Sequence, residues 1–243
     1  MRLLLLSNSR QPGREYLEHA VDAIRDTLGP ARRILFLPYA AVGLTHAEYQ
    51  ARVAAALKPL GCGVDSAHAV PDPVAAVGQA DAVVAGGGNT FVLLRELRRL
   101  GLLAAVRARV AAGAPYIGWS AGANLAGPTI RTTNDMPVCD PGGLDALNLV
   151  PFQINPHYTD AVPAGWQGET RDQRIGELLA LDPAVTVVGL PEGTGLALDA
   201  AGLRLVGSPS CRVFRHGAPP RDLKAGADLG FLLGDKGGKM PPE

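Results

Sequence analysis

From residue 1 to about residue 126, short runs of consecutive apolar residues alternate with longer stretches whose apolar residues recur every three or four positions. A continuous apolar run suits a strand covered on both faces, and the longer period suits a helix that covers one of them. The pattern predicts strands at residues 2–7, 32–38, 62–66, 81–85 and 115–119, and helices at 14–28, 45–58 and 90–112, the last broken near Gly101. Alternation of this kind is the sequence form of a doubly wound α/β fold, a mainly parallel sheet flanked by helices.

After Gly127 the pattern changes. Residues 127–168 are rich in Pro, Gly, Asn, Asp and Thr and hold one strand candidate, at 149–154, so they read as long loops. A helix is expected at 171–181 and a strand at 185–190. Residues 196–199 and 203–206 then alternate around Ala200-Ala201-Gly202 as a hairpin, which gives the sheet antiparallel strands near the C-terminus. Residues 235–243 are expected to fray. At 243 residues and 47% hydrophobic, the chain is long enough for a sizeable core and short enough to be one domain, 1–243.

Charge narrows the function classes. Lys plus Arg number 23 and Asp plus Glu number 23, so no global field would draw in nucleic acid or an anionic membrane. The apolar opening Leu3-Leu4-Leu5-Leu6 is too short to span a bilayer or serve as a signal segment. Cys62, Cys139 and Cys211 are scattered and odd in number, which argues against a disulfide framework and for a reducing, cytoplasmic setting. A small molecule is the expected partner, and either a monomer or a homodimer is compatible with the chain.

Gly118-Trp119-Ser120-Ala121-Gly122 is a G-x-S-x-G pattern between an apolar strand candidate and a run of small residues. That is the strand, sharp turn and helix context of a nucleophile elbow, with Ser120 as candidate nucleophile. The strand candidate at 81–85 runs into Gly86-Gly87-Gly88-Asn89, and loops after parallel strands gather on one edge of such a sheet. The N–H groups of Gly88 and Ala121 are therefore the candidate oxyanion hole. Neutral serine needs a base, and of five histidines His157, in Asn155-Pro156-His157-Tyr158, is the one that follows a strand candidate in the loop-rich half. Two acids suit the third position: Glu192, in Leu190-Pro191-Glu192-Gly193 after a buried strand, and Asp135, on the loop after the elbow. Asp135 equally suits a substrate ammonium.

Arg171 is the specificity candidate. Thr170 and Gln173 form a T-x-x-Q capping box, so Arg171 opens a helix whose Ile175, Leu178 and Leu179 lie on the same face. An inward arginine at a helix start can grip a carboxylate with a bidentate fork, or pair with one of the protein's own acids.

Several segments together resemble the dipeptidase E (α-aspartyl dipeptidase) family. They are Gly118 through Pro137, Gln153-Ile154-Asn155-Pro156-His157-Tyr158, Gly168-Glu169-Thr170-Arg171, and Leu190-Pro191-Glu192-Gly193; Asp172, Gly176 and the tail after 232 depart from the family's pattern. The resemblance implies a class I glutaminase-like fold and a serine peptidase that cleaves Asp-Xaa dipeptides. By it Ser120, His157 and an acid at Asp135 or Glu192 form the charge relay; for such a substrate Arg171, with Asn89, is expected to hold the aspartate β-carboxylate. It also implies no metal and no cofactor, in keeping with a sequence that has no H-E-x-x-H. A cyanophycinase-like β-aspartyl hydrolase, an α/β-hydrolase esterase and an inactive sensor of aspartyl peptides are the competing expectations.

Overall fold

The computed structural model describes residues 1–234; the tail expectation at 235–243 lies outside the described residues. Its first half follows the predicted alternation. Strands β1 (Leu3–Leu6), β2 (Arg33–Leu37), β3 (Gly63–Ser66), β4 (Ala82–Ala85) and β5 (Tyr116–Trp119) are separated by helices α1 (Val21–Leu28), α2 (His46–Leu57), α3 (Pro73–Gln79), α4 (Thr90–Arg99) and α5 (Leu102–Ala111). The elbow then opens a four-residue helix, α6 (Ala121–Asn124). The rest comprises β6 (Gln153–Pro156), α7 (Arg171–Leu181), β7 (Thr186–Leu190), β8 (Gly195–Asp199), β9 (Gly202–Val206), β10 (Cys211–Arg215) and β11 (Arg221–Leu223).

Seven strands form one sheet in the order β3-β2-β4-β5-β1-β8-β9, parallel from β3 to β1 and antiparallel at β8 and β9. β1, β4 and β5 are buried along their whole length, as continuous apolar runs require in a sheet covered on both faces. The expected hairpin is present, with Asp199 facing Gly202 across Ala200-Ala201, and the expected break falls at Gly101, between α4 and α5. No helix among the described residues is long and apolar enough to cross a membrane.

Three differences have clear physical causes. The strand at 185–190 does not join the main sheet: β7 pairs with β6 in parallel and with β10 in antiparallel fashion, in a second sheet ordered β11-β10-β7-β6. β8 occupies the edge of β1 in the main sheet, and β6, β7, β10 and β11 pair among themselves. The helix expected at 14–28 begins only at Val21, because Leu17 adopts φ 62° and turns its side chain into the core. α3 was not expected, although Asp72-Pro73 is a cap followed by a first-turn proline, and the Asp72 carboxylate accepts from the Ala75 N–H at 2.9 Å. One apolar cluster joins Leu3, Leu5 and Val83 of the main sheet to Ile154, Val188 and Val213 of the small one. Each fully buried side chain of this size contributes about 1.5–3 kcal/mol.

Candidate active site

Ser120 follows β5 with φ 51° and ψ −113°, a conformation that costs an L-residue about 1–3 kcal/mol and persists only where its surroundings enforce it. Close packing enforces it here. A Cβ on Gly122 would overlap the carbonyl oxygen of Ala85 at the end of β4, so only glycine lets the elbow sit against the neighbouring strand. Gly88 follows the same strand at φ 137°, with its Cα against Ala40 O. Among the described residues, neither the Gly88 N–H nor the Ala121 N–H has a protein acceptor. With only four residues, α6 offers an oxyanion its free first-turn N–H groups rather than the summed dipole of a long helix.

The base comes from the second sheet. β6 and β7 run parallel with Pro156 opposite Leu190, so the residues just past their ends, His157 and Glu192, emerge side by side. His157 Nδ1 donates to Glu192 Oε1 at 2.8 Å, and Ser120 Oγ donates to His157 Nε2 at 2.9 Å. The three side chains form a continuous relay at the open edge of both sheets, with His157 and Glu192 40% and 57% exposed.

Asp135 is turned elsewhere. Its Oδ2 accepts from the Thr90 N–H at 2.7 Å, Thr90 Oγ1 at 2.6 Å and Thr133 Oγ1 at 3.1 Å, which makes it a cap on the start of α4. Of the two sequence candidates for the acid, the one that meets His157 is Glu192. Asn89 is the N-cap of α4: its Oδ1 accepts from Val92 N–H at 3.1 Å and its Nδ2 donates to Met136 O at 2.9 Å. These bonds commit much of an amide expected to bind substrate, although Asn89 still lines the cavity that holds Ser120.

Arg171 opens α7 behind the expected Thr170–Gln173 capping box, with Ile175 and Leu179 buried on the same helix. The internal ion pair that sequence left open is not formed, since among the described residues no carboxylate pairs with Arg171. Burial and the neighbouring Arg174 guanidinium both lower its pKa from the ordinary arginine value. Arg171 lines a cavity of about 260 Å³ with Thr159, Asp160 and Trp166, distinct from a cavity of about 560 Å³ that contains Ser120, His157, Gly88 and Asn89.

The sequence profile described as Peptidase family S51 matches residues 3–206. Proteins named Peptidase E from Citrobacter koseri and Escherichia coli are 54% and 53% identical to the chain over 226 residues, covering 93% of it and 99% of each relative. The chain belongs to peptidase family S51. Two solved structures share the fold of this S51 member. A peptidase from an acI-B1 Actinobacterium has a TM-score of 0.71 at 17% identity, covering 95% of this chain and 96% of that one. A putative Peptidase E protein from Listeria monocytogenes has a TM-score of 0.57 at 24% identity, covering 92% and 98%.

Three supports of the candidate site are not evident in the sequence. Ser7, fully buried just past β1, accepts from the His157 N–H at 2.9 Å and donates to Leu190 O at 2.8 Å, and so pins the C-terminal ends of β6 and β7 to the large sheet. Asn8 Oδ1 accepts from the Gly193 N–H at 2.9 Å and fixes the turn that carries Glu192. The only signal for either is a polar pair closing a wholly apolar strand. Under the glycine loop, Trp119 Nε1 donates to the Tyr49 hydroxyl at 3.0 Å, which donates to Gly87 O at 3.1 Å. An aromatic pair 70 residues apart that orients a donor loop has no local sequence signature.

Proposed function

We propose that this S51 peptidase is a cytoplasmic, single-domain serine dipeptidase that removes an N-terminal aspartate from Asp-Xaa. What supports it most is the Ser120–His157–Glu192 relay at 2.9 and 2.8 Å on a strained elbow, in a chain more than half identical to proteins named Peptidase E. Ser120 Oγ attacks the peptide carbonyl carbon as His157 Nε2 takes its proton, and Glu192 holds the imidazole in the tautomer with hydrogen on Nδ1. The free N–H groups of Gly88 and Ala121 receive the oxyanion. Collapse breaks the C–N bond, His157 gives its proton to the leaving amine, and the aspartyl group remains as an ester on Ser120. Water then attacks that ester, with its proton passing to His157 and back to Ser120 as aspartate leaves.

In this account Arg171 takes the β-carboxylate of the substrate. A half-buried guanidinium without an anionic partner, at the start of a capped helix, is poised for that contact. The Asp135 oxygen left outside its three capping bonds is the proposed acceptor for the substrate ammonium.

Hydrolysis of Asp-Leu, Asn-Leu and β-Asp-Arg by wild type, Ser120→Ala and Arg171→Met tests this. Ser120→Ala is expected to lose about 10⁴-fold or more in kcat. Arg171→Met is expected to lose about ten- to a hundred-fold in kcat/KM on Asp-Leu while changing the poor turnover of Asn-Leu little. Near-normal turnover by Ser120→Ala, or a wild-type preference for β-Asp-Arg, would overturn it.

A further inference from the structure

The cavity that contains Ser120 has a charge pattern the proposed reaction has not yet used. Two arginines line it, Arg10 from the loop after β1 and Arg52 from the middle of α2, and none of its lining residues is Asp or Glu. Both guanidiniums lie against one ring, with their central carbons 5.5 and 5.9 Å from the Tyr16 centroid. Among the described residues neither has a carboxylate partner. Glu48, one turn before Arg52 on α2, lies within its electrostatic reach but forms no ion pair with it, its carboxylate being tied to the Thr45 N–H at 2.8 Å and to Thr45 Oγ1 at 2.7 Å; Glu15 and Glu18 line a separate cavity that Arg52 also borders.

Tyr16 connects this charge to the reaction centre. Its hydroxyl is 3.3 Å from that of Tyr49, which holds Gly87 O, and its ring meets Trp119, the residue before Ser120, edge to face at 6.1 Å. Stacking on a tyrosine face holds a guanidinium in place while leaving its N–H groups free to bind an anion. Two exposed cations stacked on one ring, from two elements and with no ion-paired acid, form a receptor for a carboxylate and repel an ammonium. The remaining wall is apolar, formed by Leu44 with Val42 and Val138, which are 69% and 62% exposed.

We infer that Arg10 and Arg52 bind the free C-terminal carboxylate of the substrate's second residue, whose side chain rests on Val42, Leu44 and Val138. This assignment rests on the dipeptidase reading and gives it a cause. A third residue would put a neutral peptide bond where the two guanidiniums expect a charge, so the enzyme selects dipeptides with an apolar second residue. The division of labour is then physical: the cation in the distinct cavity, Arg171, reads the aspartate side chain, and the pair on Tyr16 reads the chain end.

The test compares Asp-Leu, Asp-Leu amide and Asn-Leu as substrates for wild type and the Arg10→Met/Arg52→Met double variant, with thermal melting as the fold control. Wild type is expected to prefer Asp-Leu over its amide by about ten- to a hundred-fold in kcat/KM, carried mainly by KM. In the double variant that ratio is expected to fall to within about threefold of one, while the ratio of Asp-Leu to Asn-Leu is kept. Loss of the aspartate-over-asparagine ratio instead would mean that the pair reads the β-carboxylate, and an unchanged acid-to-amide ratio would mean that it reads neither; each overturns the inference. Aspartyl p-nitroanilide, which has no terminal carboxylate, separates the two levels. If wild type cleaves it and the acid-to-amide ratio does not respond to the arginines, only the subsite is wrong; if wild type cleaves neither the anilide nor Asp-Leu, the dipeptidase reading falls and the subsite with it.

Discussion

Ser120 and His157 meet at 2.9 Å, but the two sheets they come from hold them by different means. On the serine side the work is done by backbone packing: β5 is wholly buried, and Gly122 presses on the end of β4. On the histidine side, two short parallel strands end in half-exposed loops, and a few directional hydrogen bonds from Ser7 and Asn8 fix the geometry. Packing is insensitive to any one polar group but intolerant of added volume, whereas a hydrogen-bonded joint tolerates volume and fails when one partner is removed. In this molecule the proposed nucleophile, Ser120, is held by packing, and the proposed base and acid, His157 and Glu192, are aligned onto it by hydrogen bonds.

Substitutions on the two sides should separate these modes. The largest effect is expected from Glu192→Gln, which keeps the shape but stops holding the imidazole in its working tautomer. A loss of about 10³-fold in kcat at nearly constant KM, or about 4 kcal/mol in the barrier, is expected from steady-state kinetics on Asp-Leu. Next is Gly122→Ala, which adds volume where there is none; urea unfolding should report about 3 kcal/mol lost, with activity falling alongside the folded fraction. Ser7→Ala comes third, because it leaves the His157 N–H without its acceptor and Leu190 O with the Tyr158 N–H alone. About 2 kcal/mol of stability is expected to go, and kcat in the fully folded protein should still drop about tenfold as the relay loses register. The smallest is Asp135→Asn, which weakens the cap on α4 by about 1 kcal/mol in urea unfolding and spares kcat relative to Glu192→Gln. A larger kcat loss for Asp135→Asn than for Glu192→Gln would reverse the assignment of the two acids.

The same contrast explains what could be read from the sequence. The elbow is legible because its requirements lie within five consecutive residues, Gly118 to Gly122, and the Thr170 capping box and the hairpin at Ala200-Ala201 are local in the same sense. Strands β1, β2, β4 and β5 are legible because burial on both faces writes itself as nearly unbroken apolar runs, whereas the edge strand β3 is short and mostly exposed. Of the second sheet the strand at 185–190 is legible as β7, but β10, β11 and the pairing of the sheet are not, since strands of three to five residues are defined by partners far along the chain. The choice between Asp135 and Glu192 is hidden for a related reason. Both are loop carboxylates after a structured element, and only the register of β6 against β7 decides which one stands beside His157. Ser7 is the extreme case, a serine that acts on a residue 150 positions away. Asn89 shows the reverse limit: a polar residue at the right place in the crevice whose side chain is largely occupied in capping α4.

The central claim, that Ser120 of the relay carries the aspartyl group during turnover, is tested most directly by rapid acid quench of the enzyme with an activated aspartyl ester, followed by peptide mapping. One aspartyl adduct is expected on the peptide that contains Ser120, absent in Ser120→Ala and slow to form in Glu192→Gln. An adduct on Cys62, Cys139 or Cys211, or full turnover with no adduct at Ser120 at any quench time, would contradict it.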